Sequence, residues 1–233
     1  MKRRDLIKFL ASASPLFLTQ SDNIEEYFYD ELPNSNQKPE KIRILPRGLV
    51  SNKSKIAITA TSSPLSSYEM KDAINFIKRE GFEYEIGETV KNNNSNYRYL
   101  SASDSERATE FMQYIVDDTI DCILCGRGGY GVHRILEKLD FATIRKNPKI
   151  IIGFSDVTAL LSPIFEHSGL ITFHGPVAVS TFNSFTLNHF KKVLFSEDKF
   201  EPIVTTEPNA IVINEGNAQG VLKGGNLRMI VSI

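Results

Sequence analysis

The sequence is poor in cysteine. Only Cys122 and Cys125 occur in the 233 residues, in the segment "DCILC", so the sequence implies no disulfide framework. The spacing C-x-x-C also occurs in redox and metal sites, but this segment has the pattern of a β-strand. Side chains three residues apart on a strand point to opposite faces and cannot share a ligand. We therefore expect two buried cysteines that act as small apolar side chains.

A large excess of charge is absent as well. Lys and Arg number 27 against 28 Asp and Glu, and the sequence pI is about 6.4. This balance gives no sign of the basic surface that a nucleic acid or an anionic membrane requires. With 41% hydrophobic residues the chain can bury a core as a globular protein. Nucleic acid is therefore not an expected partner.

Long hydrophobic runs are also missing. The apolar stretch in "MKRRDLIKFLASASPLFLTQ" is too short and too interrupted to span a bilayer stably. Arg3 and Arg4, followed by apolar residues and a lysine, resemble the twin-arginine export signal. Residues 1–20 are thus predicted to be a signal-like segment that directs export to the periplasm or cell envelope. The alternative is a basic amphipathic N-terminal helix on a cytoplasmic protein.

The remaining chain alternates between strand and helix patterns. Residues 21–53 are polar, contain Pro, Asn and Gly, and are predicted to be a linker. Five strands are predicted: one that begins at Lys55, and the segments "FEYEIGETV", "IDCILC", "KIIIGF" and "LITFHGP". Four helices are predicted: Ser67 to Glu80, a helix capped by Ser103 and Glu106, and the segments "VHRILEKLD" and "DVTALLSPIFEHSG". This order predicts a doubly wound parallel α/β domain, with three α/β/α layers, over residues 54–182. Residues 183–233 are expected to form a connection and the incomplete start of a smaller, β-rich second domain.

Two glycine-containing turns follow predicted strands, at the sheet edge where such folds bind ligands. The first is "GRGGYG", in which Gly126, Gly128 and Gly131 have the G-x-G-x-x-G spacing of a dinucleotide site. Against a nucleotide, no acidic residue ends a following strand at the expected distance, and Arg127 and Tyr130 crowd the turn. Spacing alone leaves this alternative open.

The second turn is "GFSD", which places Ser155 between a buried strand and a helix. Serine at such a position is commonly a helix N-cap. It can also be a nucleophile on a sharp elbow, with backbone amides nearby to stabilise an oxyanion. Val157 stands where the G-x-S-x-G hydrolase pattern has its last glycine. The motif alone does not decide between the two interpretations.

Taken together, the motifs carry a family resemblance. The segments "YLSASDSERATEFMQYIVDDTIDCILCGRGGYGVHRILEKLDF", "IIGFSDVTALL", "GLITFHGP" and "GVLKGGNL" resemble, in order and spacing, the LD-carboxypeptidase family of serine peptidases, the murein tetrapeptide carboxypeptidases. The resemblance covers roughly Lys55 to Leu227. Related enzymes that inactivate a peptide-nucleotide antibiotic share the fold and the serine turn, and "RGGYG" favours the carboxypeptidase branch.

The resemblance implies a mechanism and a substrate. Ser155 matches the nucleophile, and the amides of Gly128, Gly129 and Asp156 match the oxyanion donors. The implied reaction is acyl transfer without a metal or cofactor, releasing the terminal D-alanine of a murein tetrapeptide. The full-length protein is a candidate homodimer.

Three further residues match motif positions near the family's pocket. Arg127, Tyr130 and Asn226 are candidate substrate-binding residues, and a cation there could hold the substrate carboxylate.

The sequence also departs from the family pattern. The family's base histidine and its orienting glutamate lie well after "GGNL", and here six residues follow Leu227. We therefore expect a C-terminally truncated chain that lacks both the base and its partner. The base is not expected among the four histidines, His133, His167, His174 and His189. Its partner is not expected among Glu201, Glu207 and Glu215. Such a chain would be a poor enzyme. The alternatives are an inactive remnant or peptide-binding module, and the antibiotic-inactivating hydrolase.

Overall fold

The computed structural model describes residues 43–92, 97, 99–195, 211, 214, 216 and 219–233. The predicted signal-like segment, with Arg3 and Arg4, lies outside these residues, as do Glu201, Glu207 and Glu215. The chain divides into one unit of Met1–Glu40 and Pro202–Leu222, and another of Lys41–Glu201 and Lys223–Ile233. The description below concerns the second unit. None of the described helices is long and apolar enough to cross a membrane.

Five parallel strands form one sheet in the order β2-β1-β3-β4-β5. The strands are β1 (Lys55–Thr59), β2 (Glu83–Ile86), β3 (Cys122–Cys125), β4 (Ile150–Gly153) and β5 (Phe173–His174). Strands β3 and β4 are buried along their whole length. Burial on both sheet faces explains their continuous apolar sequences, because helices cover both sides of a parallel sheet.

The helices that connect and flank the strands are α1 (Ser67–Arg79), α2 (Glu88–Lys91), α3 (Asp104–Val116), α4 (Phe141–Lys146), α5 (Thr158–Ser168), α6 (Ser184–Leu194) and α7 (Leu227–Ile230). Local sequence sets several ends. Ser103 and Glu106 form the predicted capping box of α3. Gly169 ends α5 in the left-handed conformation, with φ 76°. Pro163 lies inside α5.

Two buried clusters lie on opposite faces of the sheet. Phe111 of α3 and Leu160 of α5 belong to one cluster, and Ile77 of α1 and Phe190 of α6 belong to the other. Successive strand residues alternate between them. The predicted three-layer α/β/α fold is confirmed.

The two cysteines follow the same alternation. Cys122 belongs to one cluster and Cys125 to the other, and both are free and buried. Burial raises the pKa of Cys122 above its usual value and that of Cys125 to about 12. The sequence interpretation of "DCILC" as a strand with two buried apolar side chains is confirmed.

Three elements differ from the sequence prediction. The segment "FEYEIGETV" is a strand only to Ile86, after which α2 begins, because Thr89 turns its amide and hydroxyl toward the buried Glu110 carboxylate at 2.9 and 2.6 Å. The segment "VHRILEKLD" forms a 3₁₀ helix, Val132–Lys138. Helix α4 was not predicted; Asp140 caps it by accepting hydrogen bonds from two first-turn amides.

Two segments flank the predicted α/β domain. Within the predicted linker, the amide of Leu49 donates to the carbonyl of Leu194 at 2.7 Å, and Leu49 is buried. Helix α6, which follows the predicted boundary at residue 182, buries Phe190 and Leu194 in the same core. The domain boundaries themselves stay predictions.

Candidate active site

The carboxyl ends of the central strands lie side by side. Thr59 of β1 pairs with Cys125 of β3, and Gly153 of β4 pairs with His174 of β5. The chain leaves β1 toward β2 at one side of the sheet, and leaves β3 toward β4 at the other. Doubly wound sheets open a crevice at such a switch point. The loop after β1, the glycine loop "GRGGYG" and the serine turn all leave the sheet at this edge.

Ser155 lies on a sharp turn between β4 and α5. Its φ is 62°, in the left-handed region that non-glycine residues seldom adopt, and Phe154 before it is extended. A methyl group added at Gly153 would lie 2.6 Å from Cγ1 of Val157, so the strand and the helical turn approach closely only because residue 153 is glycine. This is the backbone geometry of a nucleophile elbow.

The Ser155 hydroxyl does not cap the helix that follows it. Across the part of the chain that the structure describes, Ser155 Oγ has no hydrogen-bond partner, and the N-cap position of the turn is Phe154. The side chain is half-exposed. A hydroxyl so placed is open to a substrate. The nucleophilic role of Ser155 is still a prediction.

The glycine loop passes directly beside this serine. A methyl group added at Gly128 would lie 2.9 Å from Ser155 Cβ and 3.1 Å from Ser155 Oγ. Gly129 has φ 125° and lies against Ser63. Neither the Gly128 nor the Gly129 amide donates a hydrogen bond to a described residue, and the Asp156 amide lies in the first helical turn, where N–H groups lack intrahelical partners. The three predicted oxyanion donors thus come from segments that meet at Ser155.

Sequence reasoning missed the role of the Asp156 side chain. This carboxylate is buried, with 4% of the residue exposed. Its Oδ2 atom accepts hydrogen bonds from Ser62 Oγ at 2.9 Å and from the Val132 amide at 3.1 Å. Asp156 therefore ties the serine turn to both neighbouring loops. The "TSSP" sequence after β1 placed Ser62 at the correct sheet edge but did not reveal its partner.

Arg107 is the second residue that sequence reasoning missed. Its side chain is completely buried, and it donates hydrogen bonds to the carbonyls of Ala102, Thr61 and Gly131 and to the carboxylate of Asp104. Burial lowers the pKa of the guanidinium from its usual value, and the hydrogen bond to Asp104 opposes that effect. The sequence feature that could have identified Arg107 is its position as a charged residue on the apolar face of α3.

Two of the predicted substrate-binding residues, Arg127 and Tyr130, lie in the glycine loop, and their role stays a prediction. Arg127 is half-exposed, and its Nη1 atom lies 3.1 Å from Oε1 of Glu69, which caps α1. Hydrogen bonds from Ser66, with Arg127 as a lesser cause, lower the pKa of Glu69. Tyr130 is 60% exposed. Arg127 would have to exchange this carboxylate for that of a substrate.

The segment 223–226 closes over the start of α5. The Asn226 amide donates to Thr158 Oγ1 at 3.0 Å, and its side chain caps α7. A methyl group at Gly225 would lie 2.5 Å from Thr158 and 3.1 Å from His174. The Asn226 backbone therefore contacts Thr158, three residues after Ser155, and its side-chain oxygen accepts hydrogen bonds from the backbone of α7.

None of the four histidines contacts the Ser155 hydroxyl in the described structure. His174 is nearest in the fold, with its ring centroid 6.5 Å from that of Phe154. Although His174 is exposed, surrounding protein atoms lower its pKa through desolvation. His133 lies 3.2 Å from Ser232 Oγ, and His189 lies 2.9 Å from the Phe185 carbonyl. The His167 ring centroid lies 4.9 Å from that of Phe141, with the two rings tilted by 42°.

Comparison with known proteins identifies the chain. The LD-carboxypeptidase N-terminal domain matches residues 56–175, which is just over half of the sequence. The chain belongs to the LD-carboxypeptidase family. The matched region runs from β1 to the end of β5, and it contains the glycine loop and the serine turn.

Individual relatives agree with this assignment. A probable murein peptide carboxypeptidase of Bacillus subtilis is 33% identical over 182 residues, covering 76% of this chain and 56% of the relative. A muramoyltetrapeptide carboxypeptidase from Oxalobacter formigenes superimposes with TM-score 0.55 at 30% identity, covering 61% of this chain and 48% of that one. The microcin C7 self-immunity protein MccF, in complex with aspartyl sulfamoyl adenosine, superimposes with TM-score 0.62 at 31% identity, covering 67% and 48%. The chain thus spans about half the length of the proteins it matches.

Proposed function

We propose that this chain carries the nucleophile and the oxyanion site of a serine-type LD-carboxypeptidase that releases the terminal D-alanine of murein tetrapeptides. The observation that carries the proposal is Ser155, half-exposed on a left-handed turn between β4 and α5. Family membership and the carboxypeptidase relatives support the choice of reaction. The murein tetrapeptide is chosen because relatives are named for murein peptides and muramoyl tetrapeptides.

The proposed reaction is acyl transfer in two steps. Ser155 Oγ attacks the carbonyl carbon of the scissile bond and loses its proton to a base, and the carbonyl oxygen becomes an oxyanion. The Gly128, Gly129 and Asp156 amides are the donors for that oxyanion. Collapse breaks the C–N bond and returns the proton to the amine of D-alanine. Water then attacks the ester, which releases the tripeptide and restores the hydroxyl.

The base is the component that the described residues do not supply. An unassisted serine hydroxyl is a weak nucleophile at neutral pH. Without a triad partner, the oxyanion site and binding alone leave catalysis on the order of 10³ to 10⁴ over water. We therefore expect the 233-residue polypeptide to release D-alanine far more slowly than the 1 to 10³ s⁻¹ at which enzymes commonly turn over.

A second candidate is hydrolysis of an aminoacyl nucleotide analogue, the chemistry of an antibiotic-inactivating enzyme. Its support is the likeness to MccF with aspartyl sulfamoyl adenosine, whose TM-score of 0.62 exceeds the 0.55 of the carboxypeptidase structure. Both candidates use the same serine turn, so only the substrate separates them.

The test uses the 233-residue chain and its Ser155→Ala variant. We would measure D-alanine release from a murein tetrapeptide at high enzyme concentration, with a tetrapeptide ending in L-alanine as the stereochemical control, and amino-acid release from aspartyl sulfamoyl adenosine. Slow D-alanine release that Ser155→Ala abolishes supports the proposal. Cleavage of the adenosine compound alone favours the second candidate. Binding of the tetrapeptide by calorimetry with no release in either variant refutes the enzymatic proposal and indicates a peptide-binding module.

We also propose export through residues 1–20, on the twin-arginine resemblance alone. Residues 1–30 fused to a reporter should carry it across the inner membrane, and replacing Arg3 and Arg4 by Lys should stop that transport. A reporter that stays in the cytoplasm, or that crosses equally well with the two lysines, refutes this part.

A further inference from the structure

One peptide group in the glycine loop is held from both edges. The carbonyl of Gly131 accepts a hydrogen bond from Arg107 Nη1 at 3.0 Å, and the amide of Val132 donates to Asp156 Oδ2 at 3.1 Å. These two groups belong to the same peptide bond, whose C=O and N–H point in opposite directions because it is trans. A buried cation and a buried anion therefore lie at opposite edges of one peptide plane.

The same two side chains also hold the loop after β1. Arg107 Nη1 donates to the Thr61 carbonyl, and the Ser62 hydroxyl donates to Asp156 Oδ2 at 2.9 Å. Thr61 and Ser62 are adjacent, as Gly131 and Val132 are. Each charged side chain thus bonds to both loops.

The glycine loop needs such external bonds. Gly129 and Gly131 have φ values of 125° and 117°, and neither has a side chain to fix its position by packing. Between Gly126 and Gly131, the Arg127 side chain is half-exposed and Tyr130 is exposed. Backbone hydrogen bonds fix the start of the loop at Gly126. Beyond the ion pair of Arg127, the bonds to the Gly131–Val132 peptide fix its other end.

We infer that Arg107 and Asp156 are positioning residues that fix the Gly128 and Gly129 amides relative to Ser155 Oγ. Asp156 directly follows Ser155, so its carboxylate links the nucleophile turn to the loop that carries the amides. An oxyanion donor acts only within about 2.7–3.1 Å of the developing charge, so a small loop displacement removes its effect. We call the hydrogen bonds of Arg107 and Asp156 to the two loops the clamp. The role of the clamp in catalysis rests on the proposed function, but the hydrogen bonds themselves do not.

The variants are Arg107→Met, Arg107→Lys and Asp156→Asn. Methionine keeps much of the length of the side chain and removes every donor. Lysine keeps the charge but cannot reproduce the fork of the guanidinium, so partial rescue is expected. Asparagine can still present one oxygen to both donors, but that oxygen is uncharged, so both hydrogen bonds lose the strength that the carboxylate charge gives them.

Lys149→Met is the matched control. Lys149 is also a buried cation that donates to loop carbonyls, those of Asp117 and Ile120 at 2.7 and 2.6 Å. It precedes β4, so it lies at the opposite end of the sheet. The changes measured in Lys149→Met therefore give the general effect of removing a buried cation.

The first measurement is amide hydrogen exchange, which needs no activity. Arg107→Met and Asp156→Asn should speed exchange of the Val132 amide, which donates to Asp156 Oδ2, by about 10-fold or more, since a bonded amide exchanges only when the loop opens locally. The amides of strand β2 and helix α6 should exchange no faster than they do in Lys149→Met. Uniform acceleration across the chain, equal to that of Lys149→Met, would show a merely structural role and overturn the inference. If Arg107→Met does not fold, Arg107→Lys and Asp156→Asn carry the test.

The second measurement is the kinetic constants for D-alanine release. Misplaced amides should lower kcat by about 10²-fold, with KM changed by no more than about 3-fold, because a displacement near 1 Å acts mainly on the transition state. Loss of exchange protection without a fall in kcat refutes the positioning role. A wild-type chain with no release refutes the proposed function instead, and the exchange result then still decides whether the clamp holds the loop.

Discussion

Replacing Ser155 by glycine should make the protein more stable than replacing it by alanine. Ser155 has φ 62°, and a residue with a Cβ atom in that region is destabilised by about 1–2 kcal/mol. Alanine keeps the Cβ atom and therefore the strain. Glycine has no Cβ atom and adopts this conformation freely. Both substitutions remove the hydroxyl, so the comparison isolates the backbone strain.

The magnitude follows from two opposing contributions. Glycine relieves about 1–2 kcal/mol of strain, but its freer unfolded chain lowers stability by about 0.4–1 kcal/mol. The free energy of unfolding of Ser155→Gly should therefore exceed that of Ser155→Ala by about 0.8 kcal/mol, the midpoint of a range of about 0–1.6 kcal/mol. For a chain of this length the difference is about 1–4 °C in Tm. Because Ser155 Oγ has no described partner, Ser155→Ala itself should lie within about 0.5 kcal/mol of wild type.

Urea and thermal unfolding of the variants measure this difference. Asn52 supplies a matched control, since it also has a positive φ of 61° and lies outside the serine turn. Asn52→Gly should likewise be more stable than Asn52→Ala. If the Asn52 pair shows this order and the Ser155 pair does not, the strain assigned to the serine turn is wrong.

Three further predictions concern the surroundings of the turn. Gly128→Ala places a methyl group 2.9 Å from Ser155 Cβ. This variant should slow D-alanine release by about 10²-fold because the nucleophile is displaced. The control is Gly220→Ala, where an added methyl group meets no described atom within 4 Å, and it should leave release unchanged. Thr158→Val removes the oxygen that accepts the hydrogen bond of the segment 223–226, and should speed amide exchange there while strand β4 keeps its protection; unchanged exchange would show that this bond does not hold the segment. Burial raises the pKa of Cys125 to about 12, so at pH 8 both buried cysteines should react with iodoacetamide only after unfolding, and ready labelling of the native protein would contradict their burial. The same raised pKa means that stability is complete below the thiol pKa of the unfolded chain, about 8.5, and falls as pH rises toward 12.

Local sequence patterns were sufficient for the order of the five strands and for the position of the two glycine-containing turns. The capping box at Ser103 and Glu106 marked the start of α3, and apolar runs marked β3 and β4. These signals depend on residues close in sequence, so they can be recognised without knowing the rest of the fold. The exception was "FEYEIGETV", where contact with Glu110, more than 20 residues away, ends the strand early.

The sequence by itself determined a parallel α/β sheet, the sheet edge that carries the two glycine-containing turns, and a serine at the end of a buried strand. Only the tertiary structure decided what surrounds that serine. Arg107 lies 46 residues from Thr61, and Asp156 lies 94 residues from Ser62. Such pairs depend on the order and register of the strands, which hydrophobic periodicity leaves unspecified. The strain at Ser155 is likewise tertiary, because a non-glycine residue holds a left-handed φ only where the surrounding structure imposes it.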